Sequence, residues 1–557
     1  MEGMPSPLSA DVDTADLRKA RGAFFTPEAI TRFVSDWAIR SSDDTVLEPS
    51  TGDAAFLVSA VERMRQLSSE SALAPRVDGV EIHANSARVA RSRVEEAGGI
   101  PHITVNDFFR VKPQPRYSAV IGNPPYIRYQ DFTGESRTRS REAALKVGVS
   151  LTALASSWAA FTVHSALFLQ PGGRMGLVLP AELLSVNYAA AVRQFLFDKF
   201  RSIELVLFTE QVFPDAEADV VLLLADGFGE GPTDHATIHQ AKDASSLATM
   251  DLPLRWTPPD PAGKWTGLLV GADAIEPLRS LKEAGHFTHL ETWGDTTLGM
   301  VTGNNKFFAL SPARVAELGL SRKDLIRLSP PGSAHLRGLE LSTSQMSTLG
   351  REEKATWLFR PGEPLSPAAR EYVETGHRAG VDQAYKCRVR KPWYRVPLVP
   401  AADLLLTCMN ADTPRLTTNS AAAHHLNSVH GVYLRDTLTE LGRELLPLAS
   451  LNSVTLLNAE MVGRSYGGGI LKLEPREADG WAMPSPSLIS SRKDQLRGIK
   501  SKVGRLLQQG KLADAVHLVD EALLLAPGVI TQDAVEKVRE ARKNMANRRA
   551  ARGRSGR

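Results

Sequence analysis

The 557-residue chain contains only two cysteines, Cys387 and Cys408, and they form no C-x-x-C pair. That scarcity excludes a disulfide framework and argues against a thiolate zinc site, so each thiol is expected to be free and buried. No uninterrupted apolar run approaches the ~20 residues that a membrane span requires, which argues against a membrane partner. The opening stretch "MEGMPSPLSADVDTADLRKARG" lacks a basic start followed by an apolar run, so it does not read as a secretory signal and a cytoplasmic location is expected. Neither charge sign dominates: 66 Lys and Arg stand against 63 Asp and Glu, a net +3 that permits a polyanionic partner without requiring one. At 557 residues the chain exceeds one ordinary core, and roughly one domain per 150 residues gives two to four units.

From Thr45 to about Gly227, short β-rich runs alternate with amphipathic segments, the pattern of a parallel sheet built from βαβ units. The strand candidates are "TVLEPS", "VDGVEI", "HITVND", "YSAVIGN", "RMGLVLP", "IELVLF" and "DVVLLLA". Helical candidates between them are "AAFLVSAVERMRQL", "NSARVARSRVEEAG", "ALASSWAAFTVHSALFL" and "NYAAAVRQFLFDKF". These predict an α/β, doubly wound sheet of seven strands. The last two strands are joined by too few residues for a helical crossover, so that pair is expected to be antiparallel. Beyond Phe228, Pro and Gly become frequent and the alternation fades, which predicts a boundary between 228 and 260 followed by an α+β region. From Ser491 a charged helical pattern returns.

The chemistry gathers at strand ends. The first strand runs into Glu48-Pro49, then Gly52, then a helix beginning near Asp53, a turn that lets a ligand approach the backbone closely. Ala54 stands where a fuller glycine loop would have another glycine, and no Lys-Ser/Thr pair follows, so a phosphate-cradling loop is disfavoured. The second strand ends at Glu81-Ile82, where an acid can accept from ribose hydroxyls. The third ends at Asp107-Phe108, a carboxylate for an exocyclic amine beside a ring for a purine face. The fourth ends in Asn123-Pro124-Pro125-Tyr126. The prolines hold that tetrapeptide extended, so it presents an amide and a phenol in fixed geometry.

In the order of these motifs the sequence resembles the gamma class of amino-group DNA methyltransferases, the Taq-type and Eco57I-like adenine methylases of restriction-modification systems. The resemblance covers about residues 22 to 227. It implies a Rossmann-like class I methyltransferase fold and S-adenosylmethionine as cofactor, with no metal. "GAFFTPEAI" resembles the upstream cofactor motif and implies cofactor contact by Thr26. "VLEPSTGDAAFL" implies Glu48 and Gly52 at the methionine end. "GVEIHANS" implies Glu81 and Ile82 at the ribose side, and "NDFF" implies Asp107 and Phe108 at the adenine. "NPPY" resembles the catalytic motif and implies Asn123, Pro124, Pro125 and Tyr126 around the reacting amine, with Asn123 also at the cofactor. "VFPDAEADVVLLL" resembles the hairpin that would place Phe213 on the extruded base.

In the C-terminal half, "VTGNNKFFAL", "YKCRVRKPWYR", "TTNSAAAHHLNSV" and "VGRSYGGGILKLEP" resemble segments of long adenine methylases. The DNA-binding candidates there are Lys306, Arg388, Arg390, Lys391, Trp393 and Tyr394, cations interleaved with aromatics. Adjacent His424 and His425 diverge on a regular element and are read as structural or DNA-facing rather than metal ligands, and "SYGGGIL" as a tight bend. The implied organisation is a catalytic domain at 1–235, target recognition at 236–490, a helical segment at 491–541 and a basic disordered tail at 542–557. The implied function is adenine-N6 methylation of double-stranded DNA by a monomer, any restriction activity belonging to a separate endonuclease. The alternatives are another planar nitrogen (cytosine N4, an RNA base or a protein glutamine) and a DNA-binding modification subunit of a larger assembly.

Overall fold

The computed structural model describes residues 26–68, 73–127, 132, 134–153, 155–208, 210, 212–213, 220–250, 252–258, 260–270, 272–466 and 469–554. They fall into two compact units that divide between Leu268 and Leu269.

The first unit opens with α1 (Glu28–Ala38), whose Ile30, Val34 and Ala38 recur four residues apart and form a buried stripe. Strand β1 (Val46–Glu48) leads to α2 (Ala55–Leu67), and β2 (Arg76–Glu81) to α3 (Ala84–Glu96). Then come β3 (Ile100–Val105), β4 (Tyr117–Gly122), α4 (Gly134–Leu145), α5 (Ser157–Ala166), β5 (Leu169–Pro180), α6 (Ala190–Lys199), β6 (Phe200–Phe208) and β7 (Val220–Phe228). All six residues of β4 are buried, as expected of a strand covered on both faces. Helix α1 packs so close to the sheet that a Cβ on Gly176 would lie 2.6 Å from a Val34 methyl.

The sheet order is β3-β2-β1-β4-β5-β7-β6, continued by two further strands. Strands β1 to β5 are parallel, and β7 runs antiparallel to both β5 and β6. The chain leaves β1 in one direction toward β3 and returns on the other side at β4, so β1 and β4 flank the switch point where such sheets bind ligands. The added strands, β8 (Ala236–Ala241) parallel to β6 and β9 (Leu254–Trp256), make nine in all. The seven-strand expectation and its boundary at 235 therefore stop short. β8 reads "ATIHQA" after a Gly/Pro-rich stretch and β9 is a three-residue edge strand, and such short half-polar strands carry too little apolar pattern to be seen from sequence.

The second unit is α+β. Its four-stranded sheet contains Leu404–Thr407, Leu416–Thr418, Val429–Leu434 and Gly294–Leu298. A short helix, α7 (Tyr385–Arg388), precedes α8 (Thr439–Ala449), α9 (Ser453–Val462), α10 (Lys493–Gln508), α11 (Leu512–Leu523) and α12 (Gln532–Arg554). Trp293 and Trp481, both 0 % exposed, anchor a core shared with Leu446, Val503 and Leu523. Through Arg554 the expected disordered tail is instead helical, since Val535, Val538 and Met545 of α12 belong to that core. Arg549, only 3 % exposed, donates to the Glu460 carboxylate at 2.8 and 3.0 Å. Its acid partner stands on α9, which is why the tail alone looked uncompensated. Residues 555–557 lie outside the described set. Among the described residues no single helix is long and apolar enough to cross a membrane.

Candidate active site

Four strand ends place Glu48, Glu81, Asp107 and Asn123 along one edge of the first unit's sheet. The turn after β1 is fixed from β2: the Thr51 N–H and hydroxyl both donate to the Val80 carbonyl at 3.0 Å, and the Gly52 N–H donates to Glu81 Oε2 at 2.9 Å. Gly52 has φ +52° and Ala54 φ +65°, so the loop keeps its left-handed geometry even where alanine replaces glycine. Arg93 of α3 closes the turn by donating to the Asp53 carbonyl at 2.7 Å and to its carboxylate.

Glu48 is 3 % exposed, and among the described residues its Oε2 has no hydrogen-bond partner. Burial, reinforced by the nearby Asp53 charge, pushes its carboxyl well above the usual range. An unmet buried carboxylate favours a cationic ligand, and the ammonium and sulfonium of S-adenosylmethionine fit that demand. Glu81 is oriented by the Gly52 N–H and by the His83 N–H at 2.9 Å, with further acceptor capacity for ribose hydroxyls. Ile82 beside it is 57 % exposed and offers an apolar surface to a ring.

Asp107 Oδ1 accepts from the Phe109 N–H at 3.0 Å, and Oδ2 from the Ser136 hydroxyl at 3.0 Å. The Phe108 ring does not cover a purine. It is 3 % exposed and stacks with Phe161 and Phe168 at centroid distances of 5.4 and 5.2 Å, leaving its backbone rather than its ring at the edge. Ser136 on α4, which holds this carboxylate, is a residue that nothing in the sequence singles out.

The Asn123 side-chain N–H donates to the Thr26 hydroxyl at 3.2 Å, while its Oδ1 accepts from the Tyr126 hydroxyl at 2.6 Å. That hydroxyl also lies 3.0 Å from the Val178 carbonyl, and burial keeps it protonated by raising its pKa well above 10. Ser157, at the start of α5, ties down the back of the loop: its hydroxyl donates to the Pro125 carbonyl and accepts from the Ile127 N–H at 2.9 Å. Among the described residues no donor meets the Pro124 carbonyl. Phe213 is 4 % exposed and lies in the apolar cluster that Tyr126 borders, so its ring needs uncovering before a base can rest on it. Residues 22–25 of the upstream motif and Pro214 lie outside the described set.

The family model for N-6 DNA methylase matches residues 13–233, and that for the C-terminal domain of type II methyltransferase M.Eco57I matches residues 262–524. The chain thus carries an N-6 DNA methylase domain, followed by a region similar to the C-terminal domain of type II methyltransferase M.Eco57I. Type II methyltransferase M.XamI of Xanthomonas campestris pv. amaranthicola is 26% identical over 83% of this chain and 85% of its own length. M.AccI of Acinetobacter calcoaceticus is 21% identical over 91% and 93%. The structure of the type IIL restriction-modification enzyme MmeI in complex with DNA covers 93% of this chain and 74% of its own at a TM-score of 0.57 and 12% identity, a likeness of fold. The protein is thus an S-adenosylmethionine-dependent DNA methyltransferase.

The second unit of this methyltransferase sorts the sequence-level DNA candidates into two sets. Lys306, Arg388 and Lys391 are exposed, beside exposed Lys386 and a Tyr385 that is 66 % exposed. Arg390 points the other way: its guanidinium donates to the Thr302 carbonyl at 2.7 Å and to the Val301 carbonyl, fastening the "VTGNN" loop. Trp393 packs 5.5 Å from Phe307 and 5.9 Å from half-buried Tyr394, so it is a packing residue of the second unit. His425 is 1 % exposed with its pKa lowered to about 4 by burial, and His424 bonds the Val399 carbonyl at 2.8 Å, so the pair is structural. Of "SYGGGIL", Gly467 and Gly468 lie outside the described residues. Gly469 has φ +75°, and a Cβ there would meet the Arg549 carbonyl of α12 at 2.9 Å.

Proposed function

We propose that this methyltransferase acts on the exocyclic N6 amine of an adenine removed from the stack of double-stranded DNA. The observation that carries the reading is the Asn123 carboxamide held at the sheet edge between Thr26 and Tyr126, next to a Pro124 carbonyl that no described residue engages. The amine's lone pair is delocalised into the purine ring. Two acceptors, Asn123 Oδ1 and the Pro124 carbonyl, draw its hydrogens out of the ring plane and free that lone pair for attack. S-adenosylmethionine, when bound, supplies an electrophilic methyl group.

Glu48 would hold the cofactor's methionine end, Glu81 its ribose, and Asp107 with Ile82 its adenine. The methylated nitrogen is acidic as an ammonium, so its proton passes to solvent without an ionised side-chain base. Base extrusion from a duplex costs a few kcal/mol, which the Tyr126 ring and, once uncovered, the Phe213 ring would offset by stacking. Lys306, Lys386, Arg388 and Lys391 supply phosphate contacts, with Tyr385 beside them.

Modified-base sequencing of DNA from a methylase-free host expressing the chain tests the reading. N6-methyladenine at one short sequence is expected, and its disappearance with Asn123→Ala. N4-methylcytosine, or unmodified DNA with methylated RNA or protein, would overturn it.

A further inference from the structure

Asp107 is held from both sides. Its Oδ1 is fixed by the Phe109 N–H within its own turn, and its Oδ2 by the Ser136 hydroxyl from α4, 29 residues further along the chain. Arg139, one turn along α4, brings a guanidinium nitrogen to 3.8 Å of the same Oδ2 and is steadied by Glu135. A carboxylate with one donor on each oxygen cannot rotate about its terminal bond without breaking a hydrogen bond, yet each oxygen retains a lone pair for a ligand.

We propose that Ser136 is a positioning residue for the cofactor's adenine: by bonding Asp107 Oδ2 it sets the carboxylate plane that receives the 6-amino group. This rests on the reading that Asp107 receives that amine. Because α4 follows the Asn-Pro-Pro-Tyr loop in the chain, the helix carrying Ser136 links the adenine pocket to the segment that presents Asn123.

The test compares two ligands on the full chain by calorimetry: S-adenosylhomocysteine, and S-inosylhomocysteine, which has a carbonyl in place of the 6-amino group. The parent should prefer the adenine ligand by at least about tenfold. Ser136→Ala should weaken the adenine ligand by about three- to tenfold and leave the inosine ligand unchanged, while Ser136→Thr, which keeps the hydroxyl, restores the preference. Equal weakening of both ligands would reduce Ser136 to a structural role and overturn the proposal. Tighter adenine binding in Ser136→Ala would overturn it too, showing that the hydroxyl competes with the ligand. Asp107→Ala separates the layers: if it keeps the parent's preference, the underlying placement of adenine fails. If it loses the preference while Ser136→Ala keeps it, only the role of Ser136 fails.

Discussion

The Asn123 amide reaches the Thr26 hydroxyl at 3.2 Å across 97 residues of chain. Thr26 therefore orients the carboxamide that, in the function proposed above, receives the target amine. Asn123→Ala should lower methyl transfer more than a hundredfold with cofactor affinity within a few fold, since Asn123 acts chiefly on the amine. Thr26→Val should lower kcat by about tenfold, equivalent to one hydrogen bond, and Thr26→Ser should recover it. A tritiated-methyl assay reads all three variants, and an unaffected Thr26→Val would dismiss the orienting role.

The Tyr126 hydroxyl has one proton and, among the described residues, meets Asn123 Oδ1 at 2.6 Å and the Val178 carbonyl at 3.0 Å. When the target amine donates to Asn123, the hydroxyl can turn to Val178 and leave neither carbonyl unmet. Tyr126→Phe keeps the ring and removes this relay. Single-turnover rates should fall about three- to tenfold with DNA and cofactor affinities unchanged. Parent-like rates would show that only the ring matters.

With the cofactor's methionine end placed on Glu48 as proposed, ligand binding should be linked to pH. Burial raises the Glu48 pKa in the folded protein above that of the unfolded chain, so the folded form holds the proton more tightly. Its stabilising contribution is fully present below the ordinary glutamate range and is lost as pH rises through the raised value. A cationic ligand reverses the preference and expels the proton. Calorimetric titration of S-adenosylmethionine in buffers of different ionisation enthalpy should reveal proton release. Glu48→Gln should abolish it, weaken binding by about 1–3 kcal/mol and raise the thermal midpoint at neutral pH. Buffer-independent heats would rule the linkage out.

Phe213 is a test of competing roles. With 4 % exposure it is a core residue, so Phe213→Ala should cost about 3–5 kcal/mol of stability. Phe213→Leu keeps most of the apolar volume and should hold the thermal midpoint within a few degrees. If the ring also stacks on the extruded adenine, the Leu variant should capture the base ~1–3 kcal/mol less well. It should also alter 2-aminopurine fluorescence at the target position. Parent-like fluorescence and kinetics in Phe213→Leu would leave only the packing role.

Arg549 and Glu460 form a buried pair with side chains 4 % exposed on each partner. Arg549→Met strands the carboxylate and should destabilise the fold by about 3–5 kcal/mol, whereas the double change with Glu460→Met should recover most of the loss. Denaturant melts read this. A single variant as stable as the parent would mean that the pair is solvated in solution.

The strand ends were legible because a parallel sheet buries both faces, so its strands appear as continuous apolar runs that stop abruptly at polar residues such as Glu48 and Asn123. Ala54 was legible as a departure from a glycine loop, and its φ of +65° shows that the departure lies in composition and not in backbone shape. Helix α4 was not legible: "GESRTRSREAAL" buries only Ser140, Ala143 and Ala144, so it has no apolar stripe to announce it, and Ser136 went unseen with it. The burial of Phe108 was not legible because adjacent phenylalanines offer no local clue to whether their rings turn outward to a ligand or, as both do here, inward. That choice is made by Phe161 and Phe168, more than fifty residues away. The basic run at 385–395 mixed two roles because Trp393 and Arg390 are needed inside the second unit while Lys386, Arg388 and Lys391 are not.

The reversed strand β7 imposes an order of assembly. β5 is hydrogen-bonded to β7, and β6 reaches the sheet only through β7, although β6 comes first in the chain. A chain ending at Phe208 therefore has no seat for β6 and leaves the edge of β5 unpaired, a template for intermolecular strand addition. Hairpins close in microseconds, so β6 and β7 should form a ribbon first and dock together. In pulse-labelled hydrogen exchange during refolding, the amides of β6 should gain protection with those of β7. They should do so no earlier than those of β4 and β5.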